Sequence, residues 1–390
     1  MTLFNVPPYL DWPAQFCLFL TGATWIASLV TNNVSQVDRL WTFLPTIYTA
    51  YYAFLPALPP AQTLWVMPYA PKALGWSVLK DYSPRAVLMF GLVFIWMCRL
   101  TYNAYRRGFF TNFQDEDYRW IVLRQQLPKW LFHVTNLTFI SAAQNVLLLL
   151  LGLPTYIASV VQPHTPLTTS DYALAVVALT ILGIEFTADN QQWAFHSYKH
   201  AFLAKEKGDA TVKAYNEREQ WPGARLAWTP DDARRGFITR GLWRYSRHPN
   251  FACEQSFWWV INLMPLLCPD GPNLQQLHVP LRTLIVSLLT PSLWQPLYAS
   301  LRASFWPSIE QVLPAVCLSI LFYSSTIFTE AISLSKYPAA YKAYQRRVGM
   351  FSAGQTLAKG LWIKYVNGSL AEERVERLVW GDSVAKGKTQ

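Results

Sequence analysis

The sequence predicts an all-α, polytopic transmembrane helical bundle of about seven spans plus a re-entrant or interfacial hairpin. Three observations carry this expectation. Apolar residues fill 52% of the 390 positions. Charged residues are only 14%, against about 25% in a soluble domain. Trp, Tyr and Phe reach 15%, and such rings gather in belts at membrane surfaces. The net charge of +10 is concentrated in particular loops. It therefore reports orientation under the positive-inside rule, and no nucleic-acid partner is expected.

A helical span needs about 20 apolar residues, and suitable runs lie near 14–31, 40–58, 84–103, 131–152, 172–193, 251–269 and 310–331. No basic stretch precedes the first run, so it is expected to remain as an anchor. The loop at 104–130 carries Arg106, Arg107, Arg119, Arg124 and Lys129, and the loop at 194–250 is more basic still. The connections at 153–171 and 270–281 carry no Lys or Arg. The basic loops and Lys336, Lys342, Arg346 and Arg347 are therefore assigned to the cytosol. Residues 282–307 are apolar but contain Pro291, Pro296 and Pro307. One crossing there would put the basic tail on the wrong side, so a hairpin is expected. Residues 201–235 read as a polar cytosolic loop. The five cysteines form no CxxC pair and read as small buried hydrophobes.

The most informative stretch is GLWRYSRHPNFACE, Gly241 to Glu254. Arg240, Arg244 and Arg247 recur at helical spacing, and an apolar run then carries the single carboxylate Glu254. Pro249 suits a first helical position and pushes His248 out of helical geometry. Guanidinium forks bind phosphate, and free amides at a helix start attract anions. A phosphate-bearing cofactor at the membrane surface accounts for the pattern; a topology-setting basic cluster is the plainer account. Asn250 and Glu254, one turn apart, are not needed by the plainer one.

Other groups stand out inside apolar runs. Glu185 and Asp189 share one helix face, either to bond a polar ligand or to pair with a neighbouring cation. His196 and His200 lack the following Glu and a third ligand, which disfavours zinc. In VDRLW (37–41) and RLTYN (99–103), Asp38 either pairs with Arg99 or serves as a cavity acid, with Tyr102 the other candidate. In EAISLSKYPAAYKAYQ, Glu330 ends the last run, and Tyr341 and Tyr344 read as interfacial anchors. No GxGxxG after a strand, Walker loop or GxSxG is present, so any nucleotide is held by helices.

The combined RHPN…E and KYP…Y pattern resembles the C-terminal part of the steroid 5-alpha-reductase superfamily. Within it, VDRLW, RLTYN, EDYRW (116–120) and NLTFIS (136–141) resemble a fungal-type group of integral-membrane oxidoreductases defined only as a domain of unknown function. The resemblance covers roughly residues 35–350. It implies an NADPH-dependent reductase of a carbon–carbon double bond in a steroid or other lipid, as a multi-pass protein of the endoplasmic reticulum. Its residue pattern implies a cofactor-binding set of Glu185, Asp189, Arg244, Arg247, His248, Asn250, Glu254 and Tyr337. Asp38 and Tyr102 are the candidate catalytic proton donors. The sequence departs from the steroid enzymes in offering Glu330 where they place a cofactor-binding Tyr. Their N-terminal Glu and Tyr, which polarise a ketone, have no secure equivalents here.

On this reading residues 1–130 hold the N-terminal helices and the substrate side, 131–350 the reductase-like bundle and cofactor side, and 351–390 a peripheral cytosolic tail. The expected partners are NADPH, a lipid or sterol-like substrate and membrane lipids. Two alternatives come from other classes. An isoprenylcysteine-type methyltransferase would place S-adenosylmethionine at the same RHPN region. A non-catalytic lipid-binding protein would pair its buried acids internally.

Overall fold

A computed structural model of the chain describes residues 5–209, 211–271 and 281–381. Every regular element among them is helical. Five helices are long and apolar enough to cross a membrane: Pro8–Thr31, Pro84–Arg106, Lys129–Val161, Thr169–Glu206 and Ile309–Lys336. The protein is therefore of the multi-pass membrane type. Local chemistry sets their ends. Ser83 accepts the Ala86 amide ahead of Pro84, which caps the second helix. Asn32 closes the first in the left-handed conformation.

Two expected spans take other forms. The run at 40–58 yields the ten-residue helix Leu44–Ala53 and a 3-10 turn, Leu55–Ala57. Ten residues rise only about 15 Å, half the hydrocarbon thickness. Its apolarity serves burial: Leu44, Tyr48, Tyr51, Tyr52 and Leu55 are all enclosed. The run at 251–269 becomes the 19-residue helix Pro249–Leu267. Asn250, Glu254, Gln255, Ser256 and Asn262 interrupt its apolar sequence, and it is not among the five.

The hairpin region also differs from expectation. Helix Leu281–Leu289 and a turn at Pro291–Leu293 form, but the second limb does not stand alone. It continues into one helix, Trp294–Lys336, of 43 residues, about 64 Å long. The early proline Pro296 lies in its first turn, where a missing N–H costs nothing. The expected lysine- and arginine-free connection at 270–281 lies mostly outside the described residues, as does the tail beyond Gly381.

The chain divides into two compact units, Met1–Leu179 with Trp258–Ile320 and Thr180–Phe257 with Leu321–Gln390. In the first unit, buried polar side chains join apolar helices. Asn136 donates to Ser28 Oγ (2.8 Å) and Asn145 to Thr24 Oγ1 (3.3 Å). The Arg85 guanidinium is held by both Asp171 oxygens, at 2.8 and 3.3 Å. Gln162 also accepts from Arg85 (3.2 Å), and the Thr168 amide and hydroxyl donate to Asp171.

In the second unit, residues expected to trail as a tail are folded in. Helices Ala353–Trp362 and Ser369–Trp380 follow Pro338–Arg347. Val375, Val379 and Trp380 share a core with Tyr341, Tyr344, Val348 and Ile363. Tyr341 and Tyr344 are therefore core residues and not surface anchors. The Tyr344 hydroxyl donates to the Trp243 carbonyl, which satisfies the one polar atom that its burial encloses. The region 201–235 is also partly ordered. The long helix runs to Glu206, and Thr229 with Asp232 forms a capping box on Pro230–Arg235.

Candidate functional site

The site in the second unit begins where the RHPN segment meets its helix. Pro249 opens Pro249–Leu267, as its fixed φ predicts. Ahead of it the chain runs through a turn at Tyr245 and bends at Arg247 and His248. The Arg247 and His248 amides donate to the carbonyls of Gly349 (2.9 Å) and Met350 (3.1 Å). The preceding Gly241–Arg244 turn lies on the long helix. Trp243 Nε1 donates to the Ala188 carbonyl (3.3 Å), and the Leu242 amide donates to Gln191 Oε1 (2.9 Å). Gly241 has φ +64°, and a Cβ there would lie 2.5 Å from Gln191 Oε1. A side chain is thus excluded twice, by backbone and by contact.

This docking brings the acid pairs together. Asn250 Nδ2 donates to Asp189 Oδ1 at 3.2 Å, while Asn250 Oδ1 accepts the free Phe251 amide at 3.0 Å. Glu185 lies one turn before Asp189, and Glu254 one turn after Asn250. All three carboxylates are buried, with 1%, 2% and 5% exposure for Glu185, Asp189 and Glu254. Glu185 and Asp189 lie in one of the five long apolar helices, where buried acids are expensive and concentrated at functional positions.

The three arginines do not share a face. The segment 236–248 is a chain of turns, with Gly236 and Gly241 at positive φ, so helical spacing does not apply. Arg240 turns to Asp232 (2.6 Å). Arg244 is exposed, its guanidinium 4.9 Å from the Trp380 ring centroid. Arg247 is buried and forks onto Glu330, with Nε to Oε1 at 2.6 Å and Nη2 to Oε2 at 3.0 Å. Its Nη1 donates to the Gln345 and Val348 carbonyls. His248 Nε2 meets Glu330 Oε1 at 2.9 Å, and Gln345 Nε2 donates to Oε2 at 3.0 Å. Since both Glu330 oxygens accept from donor-only groups, His248 carries its proton on Nε2. Burial holds the imidazole below its ordinary value, against the pull of Glu330, so it is neutral at pH 7.

Tyr337 is half-buried beside Phe237, with ring centroids 5.7 Å apart, and covers Gly236. Glu330 stood out in the sequence as the end of a run and as the residue offered where the steroid enzymes place a Tyr; here it anchors the RHPN segment. Gln345 and Lys359 gave no signal. Lys359 donates to the same two carbonyls as Arg247, at 2.8 and 3.2 Å. Only tertiary contact reveals such roles.

The proton-donor candidates belong to the first unit. Asp38 Oδ2 accepts from Trp120 Nε1 at 2.8 Å. Burial, with the Asp117 carboxylate close by, raises its carboxyl above the ordinary range. Tyr102 is half exposed, with Arg106 over its ring at 5.2 Å. The neighbouring Arg39 is bound to the carbonyls of Ser35, Phe113 and Asp115. Among the described residues no cluster of His, Cys, Asp and Glu fits a metal ion.

The profile of a family described as a protein of unknown function, DUF1295, matches residues 24–290. This chain belongs to that family. The matched span contains Asp38, Tyr102, Glu185, Asp189, Arg247, His248, Asn250 and Glu254. An uncharacterized protein of Schizosaccharomyces pombe is 30% identical over 332 residues, covering 85% of this chain and 76% of its own length. No solved structure matches.

Proposed function

We propose that the chain is an NADPH-dependent reductase that saturates a carbon–carbon double bond of a steroid or other lipid, within the endoplasmic reticulum membrane. The observation that carries this reading is the Asp189–Asn250 contact, with Glu185 and Glu254 one turn away on the same two helices. Ribose hydroxyls and a carboxamide NH2 are donors, and buried carboxylates are acceptors that match them. The RHPN…E and KYP…Y resemblance to steroid 5-alpha-reductases points the same way.

The residues fit the cofactor with one redistribution. Arg247 is drawn to Glu330, so with His248 it fixes the start of Pro249–Leu267. The exposed Arg244 is left to meet phosphate. Tyr337, packed against Phe237, is the remaining member of the proposed set. When bound, NADPH supplies a hydride to the electron-poor carbon of a conjugated double bond. The chain's own groups orient the cofactor, exclude water and deliver the accompanying proton. Asp38 is the assigned donor, because burial and the neighbouring Asp117 raise its carboxyl and so favour the protonated form. Tyr102 is the second donor to be tested.

The experiment is thermal unfolding of detergent-purified protein with NADPH, NADH and S-adenosylmethionine. NADPH at about 100 times its Kd should stabilise by about 2.7 kcal/mol, with a smaller effect from NADH and none from S-adenosylmethionine. A shift with S-adenosylmethionine alone would transfer the site to methyl-transfer chemistry; no shift with any of the three would end the cofactor reading. Asp38→Asn should abolish turnover while leaving the NADPH shift intact. Loss of the shift in Asp38→Asn would instead make Asp38 structural.

A further inference from the structure

The folded tail presents a surface that neither the reductase reading nor the spans require. Helix Ala353–Trp362 and the π-helical stretch Ile363–Asn367 turn one side inward. Thr356 Oγ1 donates to the Tyr245 carbonyl (2.6 Å) and accepts the Gly349 amide (2.8 Å). Ile363 is enclosed in the core with Tyr344 and Trp380. The other side exposes Leu357 (66%), Leu361 (48%), Trp362 (62%), Tyr365 (73%), Val366 (59%) and Leu370 (83%). Six large apolar groups within fourteen residues form a contiguous patch of the kind that marks an interaction site.

Three observations identify what covers it. First, its level is fixed by apolar helices. Glu330, in the last turns of Ile309–Lys336, holds Arg247, and Gly349 and Met350 accept the amides just before Pro249. The Ala353 helix therefore starts three residues from the point where one apolar helix ends and another begins. Second, charge is one-sided. From Ala331 to Ala371 there are six basic residues and no acidic one. Lys336, Lys342, Arg346 and Lys364 are exposed. Third, residues 353–367 extend only about 22 Å as a helix, short of the roughly 30 Å hydrocarbon core. The chain then returns through Ser369–Trp380 to the core it left. The segment cannot cross; it can lie flat.

We propose that residues 353–370 form an interfacial anchor, with Leu357, Leu361, Trp362, Tyr365, Val366 and Leu370 seated at the headgroup–acyl boundary of an anionic bilayer. Apolar and aromatic groups below and lysines above are the composition of such helices, and aromatic rings favour that depth. Exposed Lys and Arg beside the patch select phosphatidylserine-like lipids over neutral ones.

The test uses the unaltered full chain in phosphatidylcholine vesicles, with and without phosphatidylserine, carrying a phosphatidylcholine whose acyl chain bears a photoactivatable group near the carbonyl. After illumination and digestion, lipid adducts are expected on the 353–370 peptides and on Ile309–Lys336. None is expected on the exposed charged residues Glu373, Arg374 and Arg377. Phosphatidylserine should raise the yield on 353–370, and Trp362→Glu with Leu361→Glu should lower it without changing that on Ile309–Lys336. Adducts on Ile309–Lys336 but none on 353–370 would overturn the anchor. A covalent dimer joined through the 353–370 peptides by an added amine-reactive cross-linker, with no lipid adducts there, would assign the patch to a second copy and overturn it equally.

Discussion

Two guanidinium groups beside a proline at a helix start meet different fates. Arg85 follows Pro84 in the first unit and is closed off by Asp171 and Gln162, with Asp270 at 3.9 Å and Thr168 bonded to Asp171. Arg247 stands two residues before Pro249 in the second unit and is held by Glu330, which also engages His248 and Gln345. The first cluster joins the starts of two membrane-type helices to the loop between Val161 and Thr169. The second contains a titratable ring and adjoins Asn250, which touches Asp189. Similar ion pairs thus serve as a fastening in one unit and as the frame of the proposed site in the other. Burial of a charge pair by itself does not mark function; the chemistry next to it does.

The largest expected effect tests the fastening. Asp171→Ala removes the carboxylate that forks onto the buried Arg85 and leaves only Asp270, 3.9 Å away, and breaking such a buried pair costs about 3–5 kcal/mol. Melting in detergent should fall accordingly, while protein that remains folded should bind NADPH with unchanged affinity. Equal damage to binding would erase the distinction between the two clusters.

Arg247→Ala should act in the opposite proportion. Glu330 keeps His248 and Gln345 as partners, so the stability loss should be about 1–3 kcal/mol. The helix start at Pro249 loses its tether, and the apparent KM for NADPH should rise about tenfold, equivalent to about 1.4 kcal/mol. Unchanged cofactor kinetics in a folded Arg247→Ala protein would reduce this cluster to a second fastening.

The smallest effect is in pH. His248 has a folded-state pKa below its ordinary value of 6.5, so the unfolded chain binds more protons between those two values. Stability should be level above about 6.5 and decline as pH falls through the lower folded value. His248→Gln should flatten that decline, and the Arg85 cluster, which has no histidine among its contacts, should contribute none. Melting curves between neutral and mildly acidic pH decide this. A slope that survives His248→Gln would assign it to other groups.

Much of the architecture was legible because membrane helices obey a one-dimensional rule of length and apolarity. The runs near 14–31, 84–103, 131–152, 172–193 and 310–331 each lie in a long apolar helix. The rule fails where apolarity means protein burial and not lipid contact. Leu44–Ala53 is apolar because Tyr48, Tyr51 and Tyr52 pack inside the first unit. In the tail the same rule misassigns aromatic residues. Tyr341 and Tyr344 look amphipathic in sequence yet lie in a core made by residues more than thirty positions later. Trp362 and Tyr365, which drew no notice, are the exposed ones.

The sequence by itself determined the helical class, the membrane character, the start of the helix at Pro249 and the one-turn spacing of Glu185 with Asp189 and of Asn250 with Glu254, since these depend on composition and local geometry. Tertiary structure decided that Asn250 meets Asp189, that Arg247 answers to Glu330 and that the three arginines part company. Partners 61 and 83 residues apart are chosen by how helices dock, and docking depends on side-chain shape, on two left-handed glycines and on the need to satisfy every buried charge. None of those is a property of a local stretch of chain.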